Sequence, residues 1–248
     1  MFAARSVGVG TVMKRFAVVT SLKGRTEQYM ASRQYLERAM FGHDVKCYVR
    51  EDTQGDDVPF HKAKLLNEAI DSMNDDWNVF VQLDADVCLR GTIFDDLEVL
   101  HEKSFAFLGG VKLTEEASHE IERVIPPWQE MFDKEVDPES INLNRRQGYV
   151  GMVVLHRELF ETARGFLGGK LYDERFVGWG GEDSVISFLS RDMQARGMCK
   201  REYIFDAWRH LWHTDAPEKN DPRIKSKRDK LFRGIVDMNR GKLCDLKS

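Results

Sequence analysis

Three short apolar runs, separated by two helical patterns, constrain this chain most. Phe16 to Thr20 is apolar at successive positions, as a strand buried on both faces requires. A helix is expected from about Thr26 to Met40, with Thr26 as its cap. Asp44 to Val49 alternates and reads as a second strand. His61 to Met73 places Ala63, Leu65, Leu66, Ala69, Ile70 and Met73 at helical spacing. Val79 to Leu83 is the third strand, and it stops at Asp84. A β-α-β-α-β order in the first 90 residues predicts an α/β fold, with a mainly parallel sheet and helices on both faces.

The rest of the chain is less regular. Phe105 to Val111 and Gly151 to Leu155 read as strands, and Phe205 to Leu211 as the last one. Helices are expected over His156 to Ala163, Ser184 to Ala195 and Ile224 to Val236. The polar stretch from Thr114 to Arg146, interrupted by Pro126-Pro127, predicts a helix and a surface excursion. No repeat or low-complexity linker divides the 248 residues, so a single domain over 13–248 is expected. Residues 1–12 lack the compact apolar core of a secretory signal and read as a poorly ordered extension.

Composition narrows the setting. No run approaches the roughly 20 apolar residues that span a bilayer, so a soluble, cytoplasmic protein is expected. The net charge of -4 argues against strong attraction to nucleic acid or an anionic membrane. The four cysteines form no C-x-x-C pair, and Cys47 and Cys88 fall in strands, where a buried thiol behaves as a small apolar group.

Two acidic motifs carry the chemistry. Asp84-Ala85-Asp86 lies at the C-terminal end of a strand, where open α/β sheets place their ligands. Two carboxylates there suit a hard divalent ion shared with phosphate, and a solvated loop is the competing reading. His210-Leu211-Trp212-His213 places two imidazoles within reach of one ion, which shifts preference from Mg²⁺ toward Mn²⁺. Ordinary surface histidines are the alternative.

Gly178-Trp179-Gly180-Gly181-Glu182-Asp183 is the most specific segment. Its glycines let the backbone approach a ligand, and Trp179 offers a flat face to a sugar ring. Glu182 and Asp183 open a helix, whose dipole favours carboxylates. Asp183 could accept the proton of an attacking hydroxyl, or simply cap the helix. Ser21 to Arg25 follows the first strand as a cradle for a nucleotide, with Arg25 directed to phosphate. In Phe60-His61-Lys62-Ala63-Lys64-Leu65-Leu66-Asn67, Phe60 could stack on a base and Lys62 face phosphate; an amphipathic helix with solvated lysines is the plain alternative.

Taken in order, these segments resemble GT-A fold glycosyltransferases, above all the β-1,4-galactosyltransferase group and its bacterial and viral relatives. Phe60 to Asn67 is similar to that group's F-N-R-A-K-L-L-N, Asp84-Ala85-Asp86 to its D-V-D, and Gly178 to Asp183 to its G-W-G-G-E-D. Gly148-Tyr149-Val150-Gly151-Met152 is similar to the stretch before the acceptor site. The resemblance runs from about residue 16 to 215.

It implies that Asp86 and His213 bind Mn²⁺, with Mg²⁺ as the substitute, and that His210 stands at a third ligand position. Ser21, Arg25, Phe60 and Lys62 would hold a nucleotide-sugar donor, with a UDP-sugar favoured, and Asp84 would contact its ribose or assist the metal. Trp179, Gly180, Gly181 and Glu182 would shape the side that receives a glycan or other hydroxyl acceptor. Asp183 would be the general base. Residues 13–90 would form the nucleotide half, 91–215 the acceptor half, and 216–248 a charged segment that folds over the donor. The chain departs from the group at Ser184-Val185, where further aspartates are usual, and at Lys23 and Lys62, where arginines are usual. The expected activity is therefore inverting, metal-dependent sugar transfer. The competing expectations are a nucleotidyltransferase that makes nucleotide sugars and a non-catalytic carbohydrate binder.

Overall fold

A computed structural model describes residues 13–54, 58–140, 152–178, 180–213 and 221–244, the last seven of these as backbone alone. The expected N-terminal extension, Gly148 to Gly151 and Trp179 lie outside the described residues. Strand β1 (Arg15–Leu22) leads into helix α1 (Thr26–Ala39), followed by β2 (Asp44–Glu51), α2 (Lys62–Asp71) and β3 (Val79–Asp84). This is the β-α-β-α-β order expected. Next come β4 (Val87–Leu89), α3 (Ile93–Glu98), β5 (Ser104–Lys112), α4 (Glu115–Val124) and α5 (Trp128–Phe132). The chain ends with β6 (Val153–His156), α6 (Arg157–Phe166), α7 (Glu182–Ala195), β7 (Lys200–His210) and α8 (Pro222–Cys244).

The strands form one sheet in the order β2-β1-β3-β6-β5-β7-β4. Parallel pairing holds for β2, β1 and β3, and for β5 with β7. Strand β6 runs against both β3 and β5, and β4 against β7, so the α/β sheet is mixed rather than parallel throughout.

Both faces of the sheet are buried, which explains why the central strands are apolar at successive positions. Ala17, Phe80, Phe105, Phe107, Val153 and Leu155 pack on one face against α2, α6 and α7, through residues such as Leu66, Phe160 and Leu189. Their strand neighbours Val18, Val81, Ala106 and Val154 pack on the other face with Ile93, Phe94 and Leu97 of α3. Alternation of side chains across a strand sorts these residues between two cores.

The short elements β4 and α3 leave little periodic signal, and the sequence reading lacks them. Strand β7 begins five residues before the expected Phe205. Cys88 is buried as expected, whereas Cys47 is exposed, because β2 is an outer strand of the sheet. Among the described residues, no helix is long and apolar enough to cross a membrane.

Candidate active site

The site forms where β1 and β3 end. Ser21 of β1 and Asp84 of β3 are register partners across the sheet, and Ser21 is buried. After Asp84 the chain turns through Ala85-Asp86 and enters β4, at the far edge beside β7. The two aspartates of the triplet are therefore built into different parts of the sheet. Ser32 of α1 pins the turn by donating its hydroxyl to the Ala85 carbonyl, at 2.6 Å.

Asp86 is fully buried, and it forms one pole of the site. Pairing of β4 with β7 sets Val87 opposite His210, and the Leu211 amide donates to the Asp86 carbonyl at 2.9 Å. Those bonds bring both expected histidines to the carboxylate. His210 Nε2 lies 3.4 Å from Asp86 Oδ1, and His213 Nε2 lies 3.1 Å from Oδ2. The Arg25 guanidinium, at the start of α1, also pairs with Oδ2. Burial alone would push the Asp86 carboxyl up; His210, the hydrogen bond from His213 and Arg25 together hold it well below the usual range. Burial also lowers His210, with Asp86 opposing, which keeps its imidazole neutral.

These residues fit a divalent cation. One ligand atom each from Asp86, His210 and His213 lies within 4.8 Å of the others. Buried Asp86 Oδ1 and His210 Nδ1 have no hydrogen-bond partner among the described residues. An ionised carboxylate with a neutral imidazole is the ligand state that metal binding requires.

The second pole centres on Lys62, the first residue of α2, which is 6% exposed. Its Nζ lies 2.9 Å from Asp84 Oδ1, 3.5 Å from Glu182 Oε1 and 4.0 Å from Asp183 Oδ1. Burial would lower the lysine; Asp183, Asp84 and Glu182 outweigh it and raise it well above its ordinary value. Lys62 thus faces three carboxylates, an arrangement that the lysine-rich helix pattern did not reveal.

Asp183 is the most open acid of this cluster, with its side chain 33% exposed. Burial, together with the charges of Glu182 and Asp84, pushes its carboxyl up to about 7, while Lys62 opposes the shift. Helix α7 starts at Glu182 after Gly181, with no side-chain cap. Asp183 therefore sits in the first turn and does not cap the helix.

The glycines before it are required by geometry. Gly180 and Gly181 have φ of 76° and 105°, in the region that side chains disfavour. A Cβ on Gly181 would also collide with the Phe176 ring and stand 2.9 Å from Arg228 Cγ. Arg228 belongs to α8, which docks on α7 through Phe176, Val185, Leu231, Phe232 and Ile235. The loop is tied to the start of α2 by a 2.8 Å hydrogen bond from the Gly178 amide to the Phe60 carbonyl, and Phe60 is half-buried.

Tyr172, Gln82 and the contact of Asn67 with Tyr172 escaped the sequence reading. Buried Tyr172 donates its hydroxyl to Gln82 Oε1 at 2.7 Å. Gln82 Nε2 reaches Asp84 Oδ1 at 3.5 Å. Asn67 donates to the Tyr172 carbonyl at 2.8 Å and accepts from its amide at 3.2 Å. A glutamine inside the apolar run Val79 to Leu83 was the available signal; Tyr172 had none.

No family model matches the sequence, and no curated protein matches it significantly. Solved structures do match the fold. The catalytic domain of Drosophila β1,4-galactosyltransferase 7 in complex with xylobiose is 15% identical, with a TM-score of 0.55 over 87% of this chain and 80% of that one. A mutant of the same enzyme, in complex with manganese, UDP-Gal and xylobiose, is 14% identical with the same coverage and TM-score. Glucosyl-3-phosphoglycerate synthase from Mycobacterium tuberculosis, in complex with Mn²⁺, UDP and glucosyl-3-phosphoglycerate, is 11% identical. Its TM-score is 0.50 over 96% of this chain and 87% of that one. The chain has the GT-A fold that these glycosyltransferases share.

Proposed function

We propose that the protein is an inverting, metal-dependent glycosyltransferase that moves a sugar from a nucleotide sugar, with a UDP-sugar favoured, to an acceptor hydroxyl. The observation that carries this reading is the adjacency of two poles at one sheet end. A carboxylate–imidazole cluster suited to a cation stands beside a lysine-bridged acidic cluster that contains a carboxyl titrating near neutrality.

In this reading Asp86, His210 and His213 hold Mn²⁺, or Mg²⁺ in its place. The mixed nitrogen and oxygen donors favour Mn²⁺. When bound, the ion acts as a Lewis acid toward the leaving diphosphate. Ser21, Arg25, Phe60 and Asp84 line the donor side in residues 13–90. Lys62 holds Asp84 at 2.9 Å and adds positive charge where the diphosphate accumulates negative charge. Manganese and UDP appear in the complexes of two solved relatives in fold, which supports the choice of donor and ion.

Asp183 takes the proton of the acceptor hydroxyl as that oxygen attacks the anomeric carbon. The bond from the anomeric carbon to the diphosphate oxygen breaks on the opposite face, and the nucleoside diphosphate leaves with the bonding pair. A carboxyl with a pKa of about 7 suits a base that works near neutral pH. We read Trp179, Gly180, Gly181 and Glu182 as the acceptor side, and the charged segment 216–248 as a cover for the donor.

A screen of UDP- and GDP-sugars for hydrolysis and transfer, with Mn²⁺ and with a chelator, tests the reading. Release of nucleoside diphosphate that needs the metal, and that Asp183→Asn suppresses, is the expected result. Pyrophosphate release from a sugar phosphate and a nucleoside triphosphate would overturn it.

A further inference from the structure

The net charge of -4 conceals a segregation. Residues 222–248 contain nine Lys and Arg against three Asp and Glu, a net of +6, which leaves -10 on the rest of the chain. Most of that positive segment is α8. One side of α8 is consumed by docking, since Leu231, Phe232 and Ile235 pack against Phe176 and Val185, and Arg228 lies against Gly180 and Gly181. The other side is exposed and cationic.

Arg223, Lys227, Lys230 and Arg233 are all exposed. At 100° per residue they fall within about a third of the helix circumference, opposite the docked side. Arg223 pairs with Asp221 at 2.8 Å, while Lys227 and Lys230 have no carboxylate partner among the described residues. Asp237 closes the stripe at its C-terminal end. Successive cations on this face rise about 4.5–6 Å along the axis, a spacing that can follow consecutive phosphates of a polynucleotide strand.

We propose that this face of α8 is a docking surface for the phosphodiester backbone of a nucleic acid. A membrane-surface helix inserts an apolar face between lipid headgroups, whereas Leu231, Phe232 and Ile235 of α8 are engaged in packing against Phe176 and Val185. The stripe itself carries no apolar side chain. A predominantly cationic row, on a molecule otherwise acidic, binds through release of counterions from a polyanion. Because the opposite side of α8 touches Gly180 and Gly181, a docked strand would lie about one helix diameter, roughly 10 Å, from the Gly180-Gly181 corner. Binding requires neither a metal nor a sugar donor, so its failure and the failure of the transfer reading are separable.

The test is fluorescence anisotropy of the full chain with a labelled DNA duplex of arbitrary sequence and with single-stranded RNA, from about 50 to 200 mM salt. Cosedimentation with phosphatidylcholine vesicles containing roughly one-third phosphatidylserine serves as the third arm. For duplex DNA with four engaged cations, log K should fall with log salt at a slope of about -3.6, a loss on the order of 10²-fold across that range. The DNA and RNA arms identify which polynucleotide is held. The triple variant Arg223→Glu, Lys227→Glu, Lys230→Glu should weaken binding by roughly 10-fold or more with unchanged melting. Lys227→Gln with Lys230→Gln, a gentler pair, should reduce the slope by about 2. Absence of binding to both polynucleotides at about 50 mM salt, binding that the variants leave intact, or stronger binding to the vesicles would overturn the proposal.

Discussion

Lys62 Nζ lies 4.0 Å from Asp183 Oδ1, and the same ammonium holds Asp84 at 2.9 Å, so one cation bridges the acid proposed for the donor side and the acid proposed as the base. Asp183 titrates at about 7, with Lys62 opposing a shift driven by burial, Glu182 and Asp84. Transfer should therefore rise with pH through about 7, as Asp183 ionises. Lys62→Met removes the opposing charge, so it should move that limb to higher pH and recover activity on alkaline titration. A rate profile of the variant that keeps the original midpoint would contradict the coupling.

Asp183→Asn should reduce transfer by about 10²-fold or more while nucleotide binding stays near its original value. The same substitution has a stability signature. The folded pKa of Asp183 is raised above its unfolded value, so the group's stabilising contribution is fully present below the unfolded pKa near 3.8 and is lost as pH rises through about 7. The variant should melt at a higher temperature than the parent at pH above 7, and the gap should narrow toward acid. Calorimetry across pH checks this.

Asp86→Asn should weaken Mn²⁺ binding by more than about 10²-fold, read by electron paramagnetic resonance without nucleotide. Affinity in the parent should also fall as the solution becomes acidic enough to protonate the imidazoles. Equal Mn²⁺ retention in parent and variant would remove Asp86 from the ligand set.

Gly181→Ala meets both a φ of 105° and the Phe176 ring. A loss of about 2 kcal/mol or more is expected, with a melting temperature lower by on the order of 5 °C. Gly180→Ala should be milder, because its Cβ would stand 3.2 Å from the end of the Arg228 side chain, which can move.

Tyr172→Phe leaves Gln82 Oε1 buried without its donor. It should cost about 1–2 kcal/mol and raise the KM for the donor, since Gln82 also supports Asp84. A change in stability with an unaltered KM would make the network purely structural.

Much of the site was legible because its residues close predictable elements. Asp84 ends an apolar strand, Lys62 opens an amphipathic helix, and Asp183 follows a glycine pair whose backbone angles only glycine accepts readily. Strand direction was less accessible. The reversal of β6 depends on where the long stretch after β5 returns the chain, and apolar runs carry no sign of direction. Three-residue β4 is too short for periodicity, yet it carries Asp86 to His210. Arg25 was directed to phosphate from its loop; its pairing with Asp86 depends on a contact between residues 61 positions apart. Long-range pairs of this kind leave no mark in local spacing.

The two aspartates of one triplet have unequal mechanical support. Asp84 terminates a strand bonded on both sides, whereas Asp86 precedes the three-residue strand that ends the sheet. Amide exchange should accordingly be faster around Asp86 than along β3. Remodelling of that margin would alter the Asp86 cluster proposed to hold an ion, while the Lys62–Asp84 pair at the end of β3 stayed in place.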